Sequence, residues 1–394
     1  MKMLRLAGVL GMITMLVSGC SEYTPQEPKV VFEEKPVEPI KVSLSITGDN
    51  LLEDPLYPWL GENYDFKDYF DDIKPYLKGD LVIGNQEVLI GGEELGVTGI
   101  DYMFNSPKEI AREMKEVGFD VLTFANNHAF DRGEAGIINT LENLKEEGIA
   151  TTGSCTVAED CRKPLVIERK GVKFAILAYT YDTNQWIDAD HAFMVNKFLN
   201  ANHELDEEHK ALLKQDVERA KKEADVVITA MHWGTEFTYD IDEIQAETAS
   251  YLNELGVDII IGNHPHCLQS VDTLKSKNNH ETFVIYSLGN FISAAINVDR
   301  ATEQFTNMYE VGGIINLDVV YNPKDKKVSI ENKKLTPFIN QFTKGYQNFH
   351  LIPFHEYTEK DAKRHYQRSV SAQFTKAMIE ENLKELFDGK IEWK

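Results

Sequence analysis

Short runs of β-branched and other apolar residues alternate with helical patterns between residue 41 and about residue 290. Several of these runs are apolar at nearly every position, which is typical of strands buried on both faces of a sheet. Alternation of such strands with helices predicts a layered α/β domain. The pattern predicts strands over residues 41–47, 80–84, 119–125, 173–179, 224–231, 257–262 and 282–288.

The helical segments between these strands carry their own start and stop signals. Ser106-Pro107-Lys108-Glu109 places a Ser at an N-cap, a Pro at the first helical position and a Glu three residues after the cap, so it predicts a capping box. Gly118 predicts the end of that helix. Apolar residues at helical spacing predict three more helices, which end near residues 148, 224 and 255.

The pattern changes beyond residue 310. Two β-type runs, 313–321 and 326–331, bracket Asn322-Pro323-Lys324-Asp325, which predicts a β-hairpin. A charged, helical pattern follows over residues 359–387. We therefore expect a main domain over residues 41–300, and residues 301–394 to form a hairpin and helical extension that packs on it.

The first forty residues have a different character. Lys2 and Arg5 precede an apolar stretch, and Leu16-Val17-Ser18-Gly19-Cys20 ends it with small residues before a cysteine, which predicts a secretory signal over residues 1–19. This ending resembles the lipobox of bacterial lipoproteins, which implies lipidation of Cys20 and a location at the cell membrane, anchored on the extracytoplasmic face. An ordinary cleaved signal or a short hydrophobic helix is the alternative. Residues 20–40 are rich in Pro and Glu and predict an extended tether.

Composition restricts the class of protein. The 394 residues include 64 Asp and Glu against 41 Lys and Arg, for a formal charge of −23, and 42% are hydrophobic, which is enough for a large core. The acidity argues against a nucleic-acid partner, because phosphate contacts need clustered Lys and Arg. Outside the cytoplasm, Cys155 and Cys161 could close a small disulfide, and we expect Cys267 to be a buried thiol.

Polar residues follow the predicted strands, at the point where each strand ends. Ligands of α/β sheets collect at the carboxyl ends of strands, so we expect these side chains to meet in one crevice. His nitrogen, carboxylate and amide oxygen form the ligand set of zinc, manganese or iron, which predicts a site for one or two divalent ions. Singly, each residue also has a structural explanation, as a turn residue, a helix cap or a polar surface group. The residues are Asp49, Asn85, Glu87, Asn126, Asn127, His128, His232, His264, His266 and Asn290.

Six motifs, taken in order, resemble the capsule synthesis protein CapA family, also called the poly-γ-glutamate capsule (PGA_cap) family. The resemblance covers roughly residues 41–300. The motifs are Thr47-Gly48-Asp49, the segment from Asp80 to Glu87, Ala125-Asn126-Asn127-His128-Ala129-Phe130-Asp131-Arg132-Gly133, His232-Trp233-Gly234-Thr235-Glu236, the segment from Gly256 to His266, and Tyr286-Ser287-Leu288-Gly289-Asn290-Phe291.

That family is similar to calcineurin-type metallophosphatases, so the resemblance implies a four-layer αββα sandwich. On this analogy Glu87 bridges two ions; Asn127, His232 and His264 hold one of them, and Asp49 and His266 hold the other. His128 matches the general acid. Asp131 either orients His128 or caps the following helix, and the cap is favoured. We assign substrate binding to Asn85, Asn126, Trp233, Glu236 and Asn290.

The chain departs from the related patterns at two positions. Metallophosphatases carry a His two residues after the first Asp, where this chain has Leu51, so a single-metal or metal-free site is an alternative. An Arg that usually follows the first Asp in the CapA pattern is missing, so Arg132 or a lysine elsewhere would have to replace it.

The resemblance implies a surface lipoprotein that acts in the biosynthesis or export of capsular poly-γ-glutamate or a related anionic envelope polymer. Its expected partners are that polymer, the membrane and other capsule-synthesis subunits. Two alternatives remain open: a metal-dependent phosphoesterase or amide hydrolase, and a polymer-binding scaffold without turnover. An acidic body repels an anionic polymer unless its cleft is locally positive, and two divalent ions would add up to four positive charges there.

Overall fold

The computed structural model describes residues 38–100 and 103–393, so the predicted signal, Cys20 and most of the predicted tether lie outside the described residues. The described residues form two β-sheets with helices on their outer faces. The strands, in chain order, are β1 (Ile40–Asn50), β2 (Leu81–Gln86), β3 (Val121–Thr123), β4 (Ala150–Thr152), β5 (Leu165–Arg169), β6 (Val172–Thr180), β7 (Val226–His232), β8 (Ile259–Asn263), β9 (Val271–Lys275), β10 (Glu281–Ile285), β11 (Asn290–Ile292), β12 (Val311–Asn322), β13 (Lys327–Thr343), β14 (Gln347–Pro353) and β15 (Glu392–Trp393).

Nine helices connect these strands within the described residues, together with short 3-10 turns. They are α1 (Lys67–Phe70), α2 (Glu109–Val117), α3 (Gly133–Glu146), α4 (Ala158–Cys161), α5 (Glu207–Glu223), α6 (Glu243–Leu255), α7 (Glu303–Met308), α8 (Glu359–Arg364) and α9 (Lys376–Phe387). None of the helices in the described part of the chain has both the length and the apolar character needed to cross a bilayer.

The larger sheet has the strand order β14-β13-β12-β1-β2-β3-β4, with β11 beside β1 and β15 beside β13. The smaller sheet has the order β5-β6-β7-β8-β10-β9. Strands β6, β7, β8 and β10 are parallel neighbours, as are β1 to β4, so their carboxyl ends share one edge of each sheet.

The C-terminal region supplies four strands of the larger sheet within the described residues, β12 to β15. Strand β12 pairs antiparallel with β1, from Ile40 opposite Tyr321 to Thr47 opposite Ile314. The predicted hairpin is confirmed, because β12 continues into β13 with Tyr321 opposite Val328. Residues beyond 310 are therefore built into the same sheet that carries Asp49.

The main core lies between the two sheets. Buried apolar residues of β1, such as Leu44, belong to the same cluster as Phe174 and Ile228 of the smaller sheet. On the outer faces, Met114 of α2 packs on the larger sheet and Leu213 of α5 on the smaller sheet. The resulting order is helix, sheet, sheet, helix, so the predicted four-layer αββα sandwich is confirmed.

The predicted capping box before α2 is wrong. The residue at the N-cap is Lys108, and it makes no side-chain cap hydrogen bond. The hydroxyl of Ser106 instead donates to the carbonyl oxygen of Leu89 at 2.7 Å, in a neighbouring loop. The side chain of Ser106 therefore bonds to a residue distant in sequence and does not cap the first turn of α2. The predicted stop at Gly118 is confirmed, since this residue ends α2 in the left-handed conformation.

The three cysteines in the described residues form one disulfide and leave one free thiol, as the sequence suggested. Cys155 and Cys161 form a disulfide across one loop, with Cα atoms 5.1 Å apart. Cys267 is a buried free thiol, and burial raises its pKa to about 12.

Candidate metal centre

The predicted site residues lie together where the carboxyl ends of the central strands meet. Asp49 is near the end of β1, and Glu87 directly follows β2. His232 ends β7, while His264 directly follows β8. The contacts among them join the edges of both sheets, which is the convergence expected from their positions in the sequence.

Asp49 is held by backbone and side-chain donors. Its Oδ1 accepts from Nδ2 of Asn85 at 2.7 Å, and its Oδ2 accepts from the backbone N–H of His264 at 3.1 Å. The neighbouring Gly48 lies so close to another loop that an added Cβ would be 1.8 Å from the carbonyl oxygen of Gly289. Only glycine fits there, and the close approach fixes the carboxylate of Asp49 in the crevice.

Glu87 is the least satisfied group of the site. It is fully buried, and neither carboxylate oxygen has a hydrogen-bond partner among the described residues. Its Oε1 lies 3.6 Å from Nε2 of His232 and 3.7 Å from Nε2 of His266. Burial, reinforced by the charge of Asp49, raises the pKa of Glu87 well above its usual range. Because an unpaired buried carboxylate is costly, this position favours a bound cation or a proton.

The histidines are prepared as neutral ligands. Burial lowers the pKa values of His232 and His264 well below their usual value, so both are uncharged near neutral pH. The Nδ1 atoms of both have no hydrogen-bond partner within the described chain. Nε2 of His232 lies 2.7 Å from Oδ1 of Asn127, and Nδ1 of His266 lies 3.0 Å from Oδ1 of Asn290. Such partners fix the ring orientation of metal-binding histidines.

The turn that carries two of these histidines is strained. His264 has φ +98° and His266 has φ +53°, values that residues with a side chain rarely adopt. The turn is held by the backbone N–H of Phe237, which donates to the carbonyl oxygen of Pro265 at 3.0 Å. Strain of this kind costs of the order of 1–3 kcal/mol per residue and collects at functional sites.

These residues fit a divalent metal ion. One donor atom each from Glu87, His264 and His266 lies within 4.8 Å of the others, and all three side chains are buried. The donors are imidazole and carboxylate, which suit zinc, manganese or iron. Leu51 offers no donor atom and packs in an apolar cluster with Val88. The part of the site near Asp49 therefore lacks the ligand that a histidine would supply at position 51, as the sequence indicated.

His128 and Asp131 form a buried pair beside this cluster. Nδ1 of His128 lies 2.7 Å from Oδ2 of Asp131, which also accepts from the backbone N–H of Phe104 at 2.9 Å. Helix α3 has Arg132 at its N-cap and no side-chain cap, so the favoured role of Asp131 as a cap is wrong. The carboxylate of Asp131 contacts His128 instead, as the alternative interpretation requires. Burial raises the pKa of Asp131, although its hydrogen bond to His128 acts in the opposite direction.

The three asparagines assigned to substrate binding are buried behind the cluster. Asn85 donates to Asp49, and Asn290 faces His266. Nδ2 of Asn126 donates to the carbonyl oxygen of Gln86 at 2.7 Å, and its Oδ1 accepts from the backbone N–H of His128 at 3.0 Å. All three hold other site residues in place and are not open to a substrate.

Trp233 is also placed away from any substrate. It is fully buried, and its indole Nε1 donates to the carbonyl oxygen of Tyr286 at 3.0 Å. A Cβ on Gly262 would lie 2.6 Å from that nitrogen, so the indole packs directly on β8. Trp233 supports the sheet below the site. Of the five residues assigned to substrate, only Glu236 reaches the cleft.

A cleft of about 510 Å³ opens over His264. At its wall, Nη2 of Arg300 lies 2.5 Å from Oε2 of Glu236. Arg300 thus places a guanidinium at the cleft, where the sequence analysis expected Arg132 or a lysine. The guanidinium of Arg132 instead donates to the carbonyl oxygen of Gly96 at 3.3 Å. The residues that sequence reasoning missed are Tyr181, Asn184, His203 and Arg300.

One of these residues had a usable signal. Tyr181 directly follows β6, so the rule that located the other site residues applies to it as well. Its ring lies 4.8 Å from that of His264. Asn184, three residues later, donates its backbone N–H to the carbonyl oxygen of Asn127 at 2.7 Å.

The described chain is a layered α/β sandwich with a buried carboxylate and histidine cluster at the carboxyl edge of its sheets. Residues 43–295 match the family described as bacterial capsule synthesis protein PGA_cap. Because that match spans well over half of the sequence, the chain belongs to this family.

Two named relatives are similar to this chain. The PGA biosynthesis protein CapA of Bacillus subtilis (strain 168) is 31% identical over 186 residues, which cover 47% of this chain and 45% of the relative. The capsule biosynthesis protein CapA of Bacillus anthracis is 29% identical over 277 residues, which cover 68% of this chain and 63% of the relative. The chain thus matches less than two thirds of the length of either relative.

Among solved structures, a crystal structure described as a novel phosphatase from Mycoplasma pneumoniae is 13% identical, with a TM-score of 0.46, and the match covers 76% of this chain and 94% of that one. A hypothetical protein from Thermus thermophilus is 14% identical, with a TM-score of 0.42, over 75% of this chain and 99% of that one.

Proposed function

We propose that this protein acts in the biosynthesis or export of a capsular poly-γ-glutamate, or a related anionic envelope polymer, through a divalent metal centre. The family match and the printed functions of the two relatives support the polymer. The lipobox-like ending at Cys20 supports anchoring at the outer face of the cell membrane. Other subunits of capsule synthesis are the expected protein partners.

The observation that carries the metal centre is the buried carboxylate of Glu87. It has no partner in the described residues, and nitrogens of His232 and His266 lie within 3.7 Å of one of its oxygens. Glu87, His264 and His266 would hold an ion, joined by the three remaining predicted ligands, Asp49, Asn127 and His232. A bound divalent ion would supply Lewis-acid polarisation of a phosphoryl or carbonyl oxygen.

A second candidate function, hydrolysis of a phosphoester or amide bond, is favoured by the pairing of His128 with Asp131. Asp131 holds Nδ1 of His128 at 2.7 Å, and Nδ2 of Asn184 lies 3.4 Å from Nε2. We propose that Nε2 is the nitrogen that gives a proton to a leaving oxygen or nitrogen. The ring of Phe104 packs edge-on against His128, with centroids 4.6 Å apart, and shields one face of it from water. A scaffold that only binds polymer has no need of such an oriented imidazole.

The test is elemental analysis of the purified full chain, combined with capsule production in a strain that lacks the gene. We expect the wild type to hold at least one equivalent of divalent metal and to restore the capsule. His264→Ala should lose the metal and fail to restore the capsule. His350→Ala, which removes a half-buried histidine on the edge strand β14, is the matched control and should behave as the wild type. Full capsule with His264→Ala would overturn the proposal.

A further inference from the structure

A second concave surface of about 980 Å³ lies at the opposite end of the smaller sheet. It is formed where β6, β7, β8 and β10 begin, together with the turn between β12 and β13. The metal centre lies where β7 and β8 end. Strand β7 spans Val226–His232, so at roughly 3.3 Å per residue the two surfaces are about 20 Å apart. We call the second surface the lysine groove.

The charge of the lysine groove is opposite to that of the chain. Seven lysines line it, against four carboxylate residues. In the whole sequence, acidic residues outnumber basic ones by 64 to 41. A local reversal of this size creates a positive potential that attracts anions to one place on an otherwise repelling surface.

Two of the four carboxylates of the groove, Asp225 and Asp258, bond to backbone groups, whereas Glu223 and Glu281 are exposed. Oδ2 of Asp225 accepts from the backbone N–H of Lys173 at 2.9 Å, and Oδ2 of Asp258 accepts from that of Val227 at 2.8 Å. Both carboxylates therefore accept hydrogen bonds from the backbone at the starts of strands and are not directed at the ammonium groups of the groove. Glu281 is 3.7 Å from the ammonium of Lys275.

Most of the ammonium groups, in contrast, remain available. Within the described residues, four of the seven lysines make no ion pair and are exposed to solvent; these are Lys173, Lys222, Lys326 and Lys327. Lys221 donates to a carbonyl at the end of α6, at 2.8 Å, and Lys333 lies over the ring of Phe283. The lysines come from separate elements, so the positive charge is spread along the groove.

This arrangement suits an extended polyanion better than a compact anion. Among the residues that the structure describes, no arginine lines the groove. A phosphate or sulfate is usually held by bidentate arginine or by a helix N-terminus. Flexible ammonium groups act as point charges, which suits carboxylates repeated along a chain. We propose that the lysine groove binds a stretch of polycarboxylate chain; that this chain is poly-γ-glutamate rests on the proposed function.

The groove and the metal cleft would then hold the polymer in two different ways. The groove needs no metal, whereas the positive charge of the cleft depends on bound ions and on Arg300. A chelator removes the ions of the cleft but not Arg300, so binding that persists in chelator and is lost in a groove variant reports on the groove. This difference separates the present proposal from the metal centre.

The test uses the full chain in excess chelator, with fluorescently labelled poly-γ-glutamate titrated at low ionic strength. The groove variant is Lys222→Glu/Lys326→Glu/Lys327→Glu. The control variant is Lys108→Glu/Lys344→Glu/Lys360→Glu, which changes three exposed lysines elsewhere and gives the same net charge. We expect the groove variant to bind at least tenfold more weakly than the control variant. Thermal unfolding of both variants confirms that they are folded.

Equal affinity of the two variants would overturn the proposal, and so would wild-type protein that binds no polymer in chelator. Neither result touches the metal centre, because metal content and capsule restoration by His264→Ala are measured separately. Conversely, loss of the metal centre would leave binding in chelator unchanged. Weaker binding by the groove variant at low salt, with the difference shrinking as salt is added, would support the proposal.

Discussion

The Oε1 atom of Glu87 lies 3.6 Å from the Nε2 atom of His232, and both side chains are almost completely inaccessible to water. The carboxylate has neither a hydrogen-bond donor nor an ion-pair lysine or arginine in the described chain. It is therefore a destabilising group unless a cation or a proton reaches it.

The first prediction concerns Glu87→Gln. In chelator at pH 8, we expect the variant to be more stable than the wild type by about 1–2 kcal/mol, because an amide is less costly to bury than an unpaired charge. With Mn²⁺ at about 100 times its dissociation constant, the wild type gains about 2.7 kcal/mol and the order reverses. Urea unfolding, with and without Mn²⁺, measures the free energy of unfolding of both proteins. Glu62→Gln, at an exposed position, should change the free energy of unfolding in neither condition. If Glu87→Gln remained more stable than the wild type in Mn²⁺, the prediction would be contradicted.

The second prediction concerns the positioning residue Asp131. Asp131→Asn keeps the size of the side chain but removes the charge that holds the Nδ1 proton of His128. If the protein hydrolyses phosphodiesters, kcat on bis(p-nitrophenyl) phosphate should fall by about 10²-fold, with the metal content and the melting temperature unchanged. The pH dependence of kcat should shift as well, which a merely structural role would not produce.

The same assay separates enzyme from scaffold. Near two equivalents of metal, with hydrolysis lost in His264→Ala, would identify an enzyme. Less than one equivalent of metal and no hydrolysis by the wild type would favour a scaffold that binds polymer without turnover.

The third prediction concerns Arg300, which pairs with Glu236 at the wall of the cleft. Arg300→Ala removes a cation beside the metal centre, so we expect KM for an anionic phosphodiester to rise about tenfold, while kcat changes less than twofold. Arg132→Ala is the control, because that guanidinium bonds to a backbone carbonyl away from the cleft. An equal effect of both substitutions would show that only overall charge matters.

The fourth prediction concerns pH. Burial raises the pKa of Glu53 from 4.5 to about 7, so the folded protein retains a proton that the unfolded chain releases. This contribution to stability is complete below pH 4.5 and is lost as the pH rises through 7, a change of up to about 3 kcal/mol. Glu53→Gln should flatten that part of the stability curve, as measured by urea unfolding in chelator. A wild-type slope in the variant would assign the effect to another group.

The position of the candidate metal site could be predicted because it follows from one rule of sheet geometry. Asp49, Glu87, His232 and His264 each come at or just after the end of a strand, and parallel strands bring these ends together. Tyr181 obeys the same rule after β6 and could have been found by applying it once more.

The remaining errors have tertiary causes. Arg300 meets Glu236 across 64 positions of sequence, in a loop that no local pattern describes. Ser106 and Asp131 have the sequence context of helix caps, but Leu89 and His128 take their side chains instead. A local sequence pattern indicates which hydrogen bonds a side chain is able to make. The tertiary packing around the side chain determines which of these bonds forms.

The antiparallel pairing of β1 with β12 has a consequence for the order of events during synthesis. Ser45 of β1 bonds to Asn316 of β12, 271 positions later in the chain. All six proposed ligands leave the ribosome well before β12 does, yet until then the strand that carries Asp49 has one open edge. The nascent chain thus contains all six proposed ligands while the edge of β1 that β12 covers is still unpaired, so closure of the larger sheet at that edge waits for the synthesis of residues 311–322.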